Sequence, residues 1–154
     1  MSASEEDIVV EVRFEIEKDS EGFPKSRDAE LLRCKPSNPE CSTCVVVSVP
    51  LYLRNVAYGD TISTVDSPSG SLEFGKVLNR GGYSVYRILL HDPSKKNALI
   101  DKLLNFGVLL ERDDNLIAIA APPNADVDAI VDYLLEGKQE GFWGLQDGYI
   151  HEVS

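Results

Sequence analysis

Residues 83–107 run Y-S-V-Y-R-I-L-L-H-D-P-S-K-K-N-A-L-I-D-K-L-L-N-F-G. The first nine are β-branched, aromatic or aliphatic for the most part, and Gly81-Gly82 interrupts whatever precedes them, so residues 83–91 read as a strand. Asp92-Pro93 then offers a capping carboxylate followed by a proline at the first helical position, where a missing N–H costs nothing. Leu99, Ile100, Leu103, Leu104 and Phe106 recur at helical period, and Gly107 can adopt the left-handed turn that ends a helix. A strand followed by a helix over residues 94–106 is the expectation.

Working outward toward the C-terminus, two short apolar runs at 108–111 and 115–121 flank Arg112-Asp113-Asp114, the pattern of a hairpin between antiparallel strands. Pro122-Pro123 stops the second run. Asn124 or Asp126 can cap a helix whose apolar stripe is Val127, Ile130, Val131, Leu134 and Leu135, closed by Gly137. An aromatic strand over 142–150 completes the order strand-helix-strand-strand-helix-strand. Two amphipathic helices on one face of a four-stranded antiparallel sheet make a ferredoxin-like βαββαβ unit, with its first and third strands central.

The front half obeys another period. Residues 9–17, V-V-E-V-R-F-E-I-E, alternate apolar and charged, so one face is buried and the other wet. Residues 19–25, with Gly22-Phe23-Pro24, read as a loop. Further strands are expected at 29–35, 45–53, 60–65 and 72–78, joined by segments rich in Pro, Ser, Asn and Gly. Five short strands without a helix suggest a small antiparallel β-barrel or rolled sheet. The fold class is therefore α+β: a barrel-like subdomain over 8–80, a ferredoxin-like subdomain over 81–152, and an acidic tail over 1–7 expected to be flexible.

Formal net charge is −11 at pH 7, with 26 acids against 15 bases. The excess sits in residues 1–30 and 81–154, whereas residues 31–80 are nearly balanced. Such a surface repels phosphate backbones, and Arg54, Lys76, Arg80 and Arg87 are too scattered along the chain to form a basic stripe, so nucleic acid is not an expected partner. No apolar run approaches the ~20 residues of a membrane-spanning helix, and no signal-peptide pattern is present. The sequence reads as a soluble cytoplasmic chain that does not engage membranes.

Reactive constellations are sparse. Cys34, Cys41 and Cys44 are spaced C-x6-C-x2-C; the close pair lacks the further ligands a structural zinc needs, so reduced, ordinary thiols are expected and no metal or other cofactor. His91 and His151 are the two imidazoles, and neither has a paired-site spacing. No nucleophile elbow or phosphate loop occurs, and Ser84 and His91 fall on opposite faces of one strand, so no catalytic residue is assigned. Asp126, Asp128, Asp132 and Glu136 belong to the polar side of the second helix, a solvated face that could dock a protein. Tyr83, Tyr86, Phe142, Trp143 and Tyr149 come from two strands of one sheet; they either line an open face or lie beneath the barrel, and the second arrangement gives the two halves an apolar joint.

Gly22-Phe23-Pro24, Val49-Pro50, Asn55-Val56-Ala57-Tyr58-Gly59-Asp60 and Gly82-x-Ser84-x-x-Arg87 resemble the signature of a bacterial domain-of-unknown-function family, family 4265, over roughly residues 9–150. Val-Ala-Tyr-Gly-Asp is its most specific piece, and residues 36–43 are an extra stretch outside that pattern. The resemblance implies the fold and a bacterial origin and carries over no catalytic residue. Read physically, Gly59-Asp60 is a turn between barrel strands, and Ser84 and Arg87 organise the joint or meet a ligand anion.

Charge and the lack of catalytic machinery lead to a non-catalytic, acidic protein-binding module. Its most concrete version is an immunity protein, a toxin inhibitor that occludes the active site of a toxin domain. Asp126, Asp128, Asp132, Glu136, Trp143, Asp147 and Tyr149 are the candidate partner-binding residues. Tyr58, Asp60, Ser84 and Arg87 are the candidates for the joint or a ligand. The alternative is a small-molecule sensor or enzyme using a pocket between the subdomains, with Ser84, Arg87 and one histidine facing it. An exposed edge strand leaves the chain a monomer or a weak homodimer.

Overall fold

The computed structural model describes residues 8–16 and 28–151. The expected tail at 1–7 and loop at 19–25 lie outside these residues. Strands β1 (Val10–Glu15), β2 (Ala29–Pro36), β3 (Thr43–Val46), β4 (Thr61–Asp66) and β5 (Leu72–Asn79) form a closed barrel. Successive neighbours are antiparallel, and because five is odd, the ring closes through a parallel pair in which Val12 faces Leu72. Alternation in the sequence fills the interior: Val12, Phe14, Leu32, Cys34, Cys44, Val46 and Ile62 point inward, and Phe14 stacks on Phe74 at 4.6 Å.

The second half holds β6 (Ser84–Leu90), a 3-10 turn (Pro93–Lys95), α1 (Lys96–Asn105), β7 (Leu109–Asp113), β8 (Leu116–Ala121), α2 (Val127–Gln139) and β9 (Trp143–Asp147). Its four strands lie in the order β7-β8-β6-β9, all antiparallel. The start signals hold: Asp92 accepts from the Ser94 N–H ahead of α1, and Asp126 from the Ala129 N–H at the head of α2. Leu99, Leu103, Ile130 and Leu134 from the helices pack on Tyr86, Ile88, Leu90, Ile117 and Ile119 from the sheet. Each such side chain contributes about 1.5–3 kcal/mol relative to exposure.

Three local expectations need correction. The strand over 45–53 stops at Val46, and residues 47–60 cross the barrel end as irregular chain. Pro50 has no N–H to offer a ladder, and the Leu51 and Tyr52 N–H groups donate instead to the Glu30 carboxylate, at 2.7 and 3.0 Å. The hairpin turns at Asp114-Asn115, sharing only Asp114 with the expected triplet because Arg112 and Asp113 still belong to the strand, and Asp114 takes φ 60°, a conformation aspartate tolerates. Gly137 does not end α2. It is buried within the helix, where an added Cβ would lie 1.9 Å from the Trp143 ring; Gly141, at φ 83°, follows the true end.

Candidate functional site

The sheet of the second half is covered on both faces, which is why β6 is buried almost throughout. Even-numbered residues of β6 face the helices. Odd-numbered ones, Val85 and Arg87, face the barrel. Strand β8 shows the same division: Ile117 and Ile119 meet the helices, whereas Ala118 and Ala120 meet Val49 and Ala57 from the 47–60 segment. Tyr58, Tyr83 and Tyr149 border this apolar joint. Of the five aromatic residues weighed above, Tyr83 and Tyr149 therefore serve the joint, and Tyr86, Phe142 and Trp143 serve the helix-side core.

Asp60 is fully buried beside the joint. One carboxylate oxygen accepts from the Gly81 N–H at 3.0 Å, and the other from the Ala57 N–H at 3.0 Å and Arg80 Nη1 at 2.7 Å. The same Arg80 nitrogen donates to the Asn55 carbonyl, and its guanidinium lies 3.8 Å above the Tyr149 ring. Tyr58 and Tyr83 pack at 5.0 Å. Gly81 must be glycine, since a Cβ there would sit 2.4 Å from the Gly59 carbonyl oxygen. The run from Val56 to Asp60 thus clamps the barrel to the linker, and both oxygens of the Asp60 carboxylate are consumed by structure.

Arg87 differs. It is 1% exposed, the largest fully buried side chain among the described residues. Register places it in a row with Glu111, Ala118 and Gln146. Nη1 makes a long contact of 3.5 Å to Gln146 Oε1, whereas Nε and Nη2 are buried without a hydrogen-bond partner among the described residues. Burial pulls the guanidinium down to about 10; nearby Glu30 opposes this and Arg54 adds to it. It remains charged at neutral pH. Neighbouring acids are engaged elsewhere: Glu111 bridges to Arg33 at 2.9 Å, and Asp113 accepts from the Tyr52 hydroxyl at 2.7 Å, both contacts spanning the joint.

Ser84 has the opposite parity to Arg87, so the expected trio of Ser84, Arg87 and a histidine does not assemble. The Ser84 hydroxyl instead accepts from the His151 backbone N–H at 2.9 Å, and His91 is exposed at the far end of β6. Trp143 is also unavailable to a partner: it is 4% exposed and donates Nε1–H to the Leu134 carbonyl at 2.9 Å. Tyr149 is half-buried under Arg80. The remaining candidates, Asp126, Asp128, Asp132, Glu136 and Asp147, are exposed. Asp128, Asp132 and Glu136 recur at i, i+4 and i+8 along one side of α2. Asp147 and Asp128 both lie close enough to Tyr86 to raise its hydroxyl, after burial, and Glu136 adds to the effect of burial on Tyr133.

A shallow groove of about 460 Å³ adjoins this side, lined by Lys95, Tyr133, Glu136, Glu140, Phe142 and Trp143 among others. The cysteines are free, and among the described residues no three His, Cys, Asp or Glu side chains are grouped to hold a metal ion. No described helix is long and apolar enough to cross a membrane.

A family model described as Domain of unknown function (DUF4265) matches residues 37–145. The chain belongs to this family. The DUF4265 match starts just before β3, leaving β1 and β2 outside, so it is shorter than the expected 9–150 and takes in most of the stretch at 36–43. It includes both Asp60 and Arg87. No curated protein matches the chain. A crystal structure of a hypothetical protein from Neisseria gonorrhoeae is similar along 94% of this chain and 98% of that one, with a TM-score of 0.71 at 14% identity. At that identity the likeness speaks for the fold alone.

Proposed function

We propose that this DUF4265 chain is a non-catalytic protein-binding module that presents the acidic side of α2 to a basic partner. The observation carrying this reading is the exposed carboxylate series Asp128, Asp132 and Glu136, with Asp147 beside it. Among the described residues none of the four joins an ion pair. Like charges one helical turn apart disfavour the isolated helix by a few tenths of a kcal/mol, a cost that a basic partner removes. Such a face also speeds encounter at low salt. Its most concrete form is a cytoplasmic bacterial immunity protein that occludes a toxin's active site. The strand order supports reading the second half as a ferredoxin-like unit, with β7 and β9 as the edges at which a weak homodimer would form.

The test is co-purification of the full chain from its native host at two ionic strengths, beside the variant Asp128→Asn, Asp132→Asn, Glu136→Gln. A partner held at low salt, released at high salt and lost from the variant is expected. Equal recovery of the same partner by both chains, or none at low salt, defeats the proposal.

A further inference from the structure

The atoms of Arg87 left without partners are not a random pair. Nε–H and the adjacent Nη2–H lie along one edge of the guanidinium and point the same way, the edge that grips two oxygens of a carboxylate or phosphate in parallel. Nη1, at the opposite corner, is turned toward Gln146 on β9, so the free edge is directed away from that strand. A buried charged donor left unmade is costly, which is why such groups in folded proteins almost always have a partner.

The described residues around it supply no hydrogen-bond partner. Glu30, the carboxylate within electrostatic reach, already accepts from two backbone N–H groups of the 47–60 segment. Arg54, exposed on that same segment, is close enough for its charge to be felt at Arg87. In a chain of net charge −11, two arginines, one buried and one at the surface, thus converge on the barrel–sheet joint. The apolar walls around them, Val49, Val85, Ala118 and Ala120, keep the dielectric low and strengthen any charge-assisted contact made there.

We propose that the joint binds a small oxyanion of the carboxylate or phosphate class, held in a two-point fork by Arg87 Nε and Nη2 and backed by Arg54. Both nitrogens are buried, so the anion is admitted as barrel and sheet part and is then held between them, and its binding raises the stability of the folded chain by mass action.

The test uses the full chain in chloride buffer at constant ionic strength, titrated separately with inorganic phosphate and with acetate. The readouts are the Arg87 Nε–H resonance in ¹H–¹⁵N spectra and the urea unfolding midpoint. Saturable movement of both with at least one anion is expected. Arg87→Met, which lacks that resonance, should abolish the shift of the urea midpoint, and Arg54→Gln should weaken binding by about tenfold. Response to phosphate alone assigns a phosphate-type ligand; response to acetate alone assigns a carboxylate. If neither anion moves the wild-type resonance, or if Arg87→Met responds as wild type does, the proposal is overturned. Should Arg87→Met fail to fold, the wild-type resonance still decides the matter.

Discussion

Asp60 and Arg87 are both buried charges beside the same joint, and they are treated in opposite ways. Asp60 meets three donors from three separate residues, each within 3.0 Å. Arg87 has one long contact and an open edge. The comparison separates a charge that belongs to the architecture from one that architecture leaves unfinished. Burial alone does not distinguish the two; the count of satisfied polar atoms does.

The largest effect should come from attacking the completed side. Asp60→Ala leaves Arg80 without its carboxylate and two backbone donors unmatched, and is expected to cost about 3–5 kcal/mol in urea unfolding. Asp60→Asn, which keeps an acceptor oxygen, should cost less. A loss below about 1 kcal/mol for Asp60→Ala would remove the contrast with Arg87.

The unfinished side should give a much smaller response. In chloride buffer free of phosphate and carboxylates, Arg87→Met replaces an imperfectly paired charge with an apolar chain of similar length, so stability should stay within about 1 kcal/mol of wild type or rise. A severe loss in the same unfolding assay would mean that the bare protein already completes the Arg87 interactions.

A third buried ionisable group sharpens the comparison by using neither solution. Cys34 lies in the barrel core, where burial, and then the neighbouring Cys44, push its thiol up to about 12 from the usual 9.0, so it stays neutral. Burial and Cys41 raise Cys44 as well. Iodoacetamide at pH 8 should therefore label the native protein at Cys41 alone, read by mass spectrometry. Because the folded thiol of Cys34 is the weaker acid, the associated stability is intact below pH 9 and is lost as pH climbs through about 12. Labelling of Cys34 at a rate near that of Cys41 would contradict the buried barrel interior.

Much of this architecture was legible because local signals agreed with one another. Asp92-Pro93, Asp126, Gly107 and the alternation of β1 each depend on a few neighbouring residues, and each behaves as read. Gly137 was misread because its role comes from Trp143, six residues on and in another element, whose ring fills the space where a Cβ would be. The 45–53 segment failed as a strand for a similar reason, since Glu30 from β2 captures its backbone donors. The candidate residues divide along the same line. Exposed acids on a helix face follow from period alone, whereas the loss of Trp143 and Tyr149 to the interior required knowing which layers meet. A signal for the joint was present in I-A-I-A, residues 117–120 of β8, where large and small side chains alternate, marking one face for interdigitating helices and the other for a close-lying chain. An arginine set among Val85, Tyr86, Ile88 and Leu89 was the matching hint of a charge confined between layers.

The parallel seam of the barrel has a consequence for how the molecule is made. Val12 leaves the ribosome well before its strand partner across the seam, Leu72, and β2, β3 and β4 are synthesised between them. Until then, the nascent barrel is an open sheet with β1 as an edge, paying its loop-closure entropy last. The α/β half has a matching delay, since Tyr86 on β6 meets Asp147 on β9 across a comparable stretch of sequence, so each half closes its sheet with the strand that is synthesised last.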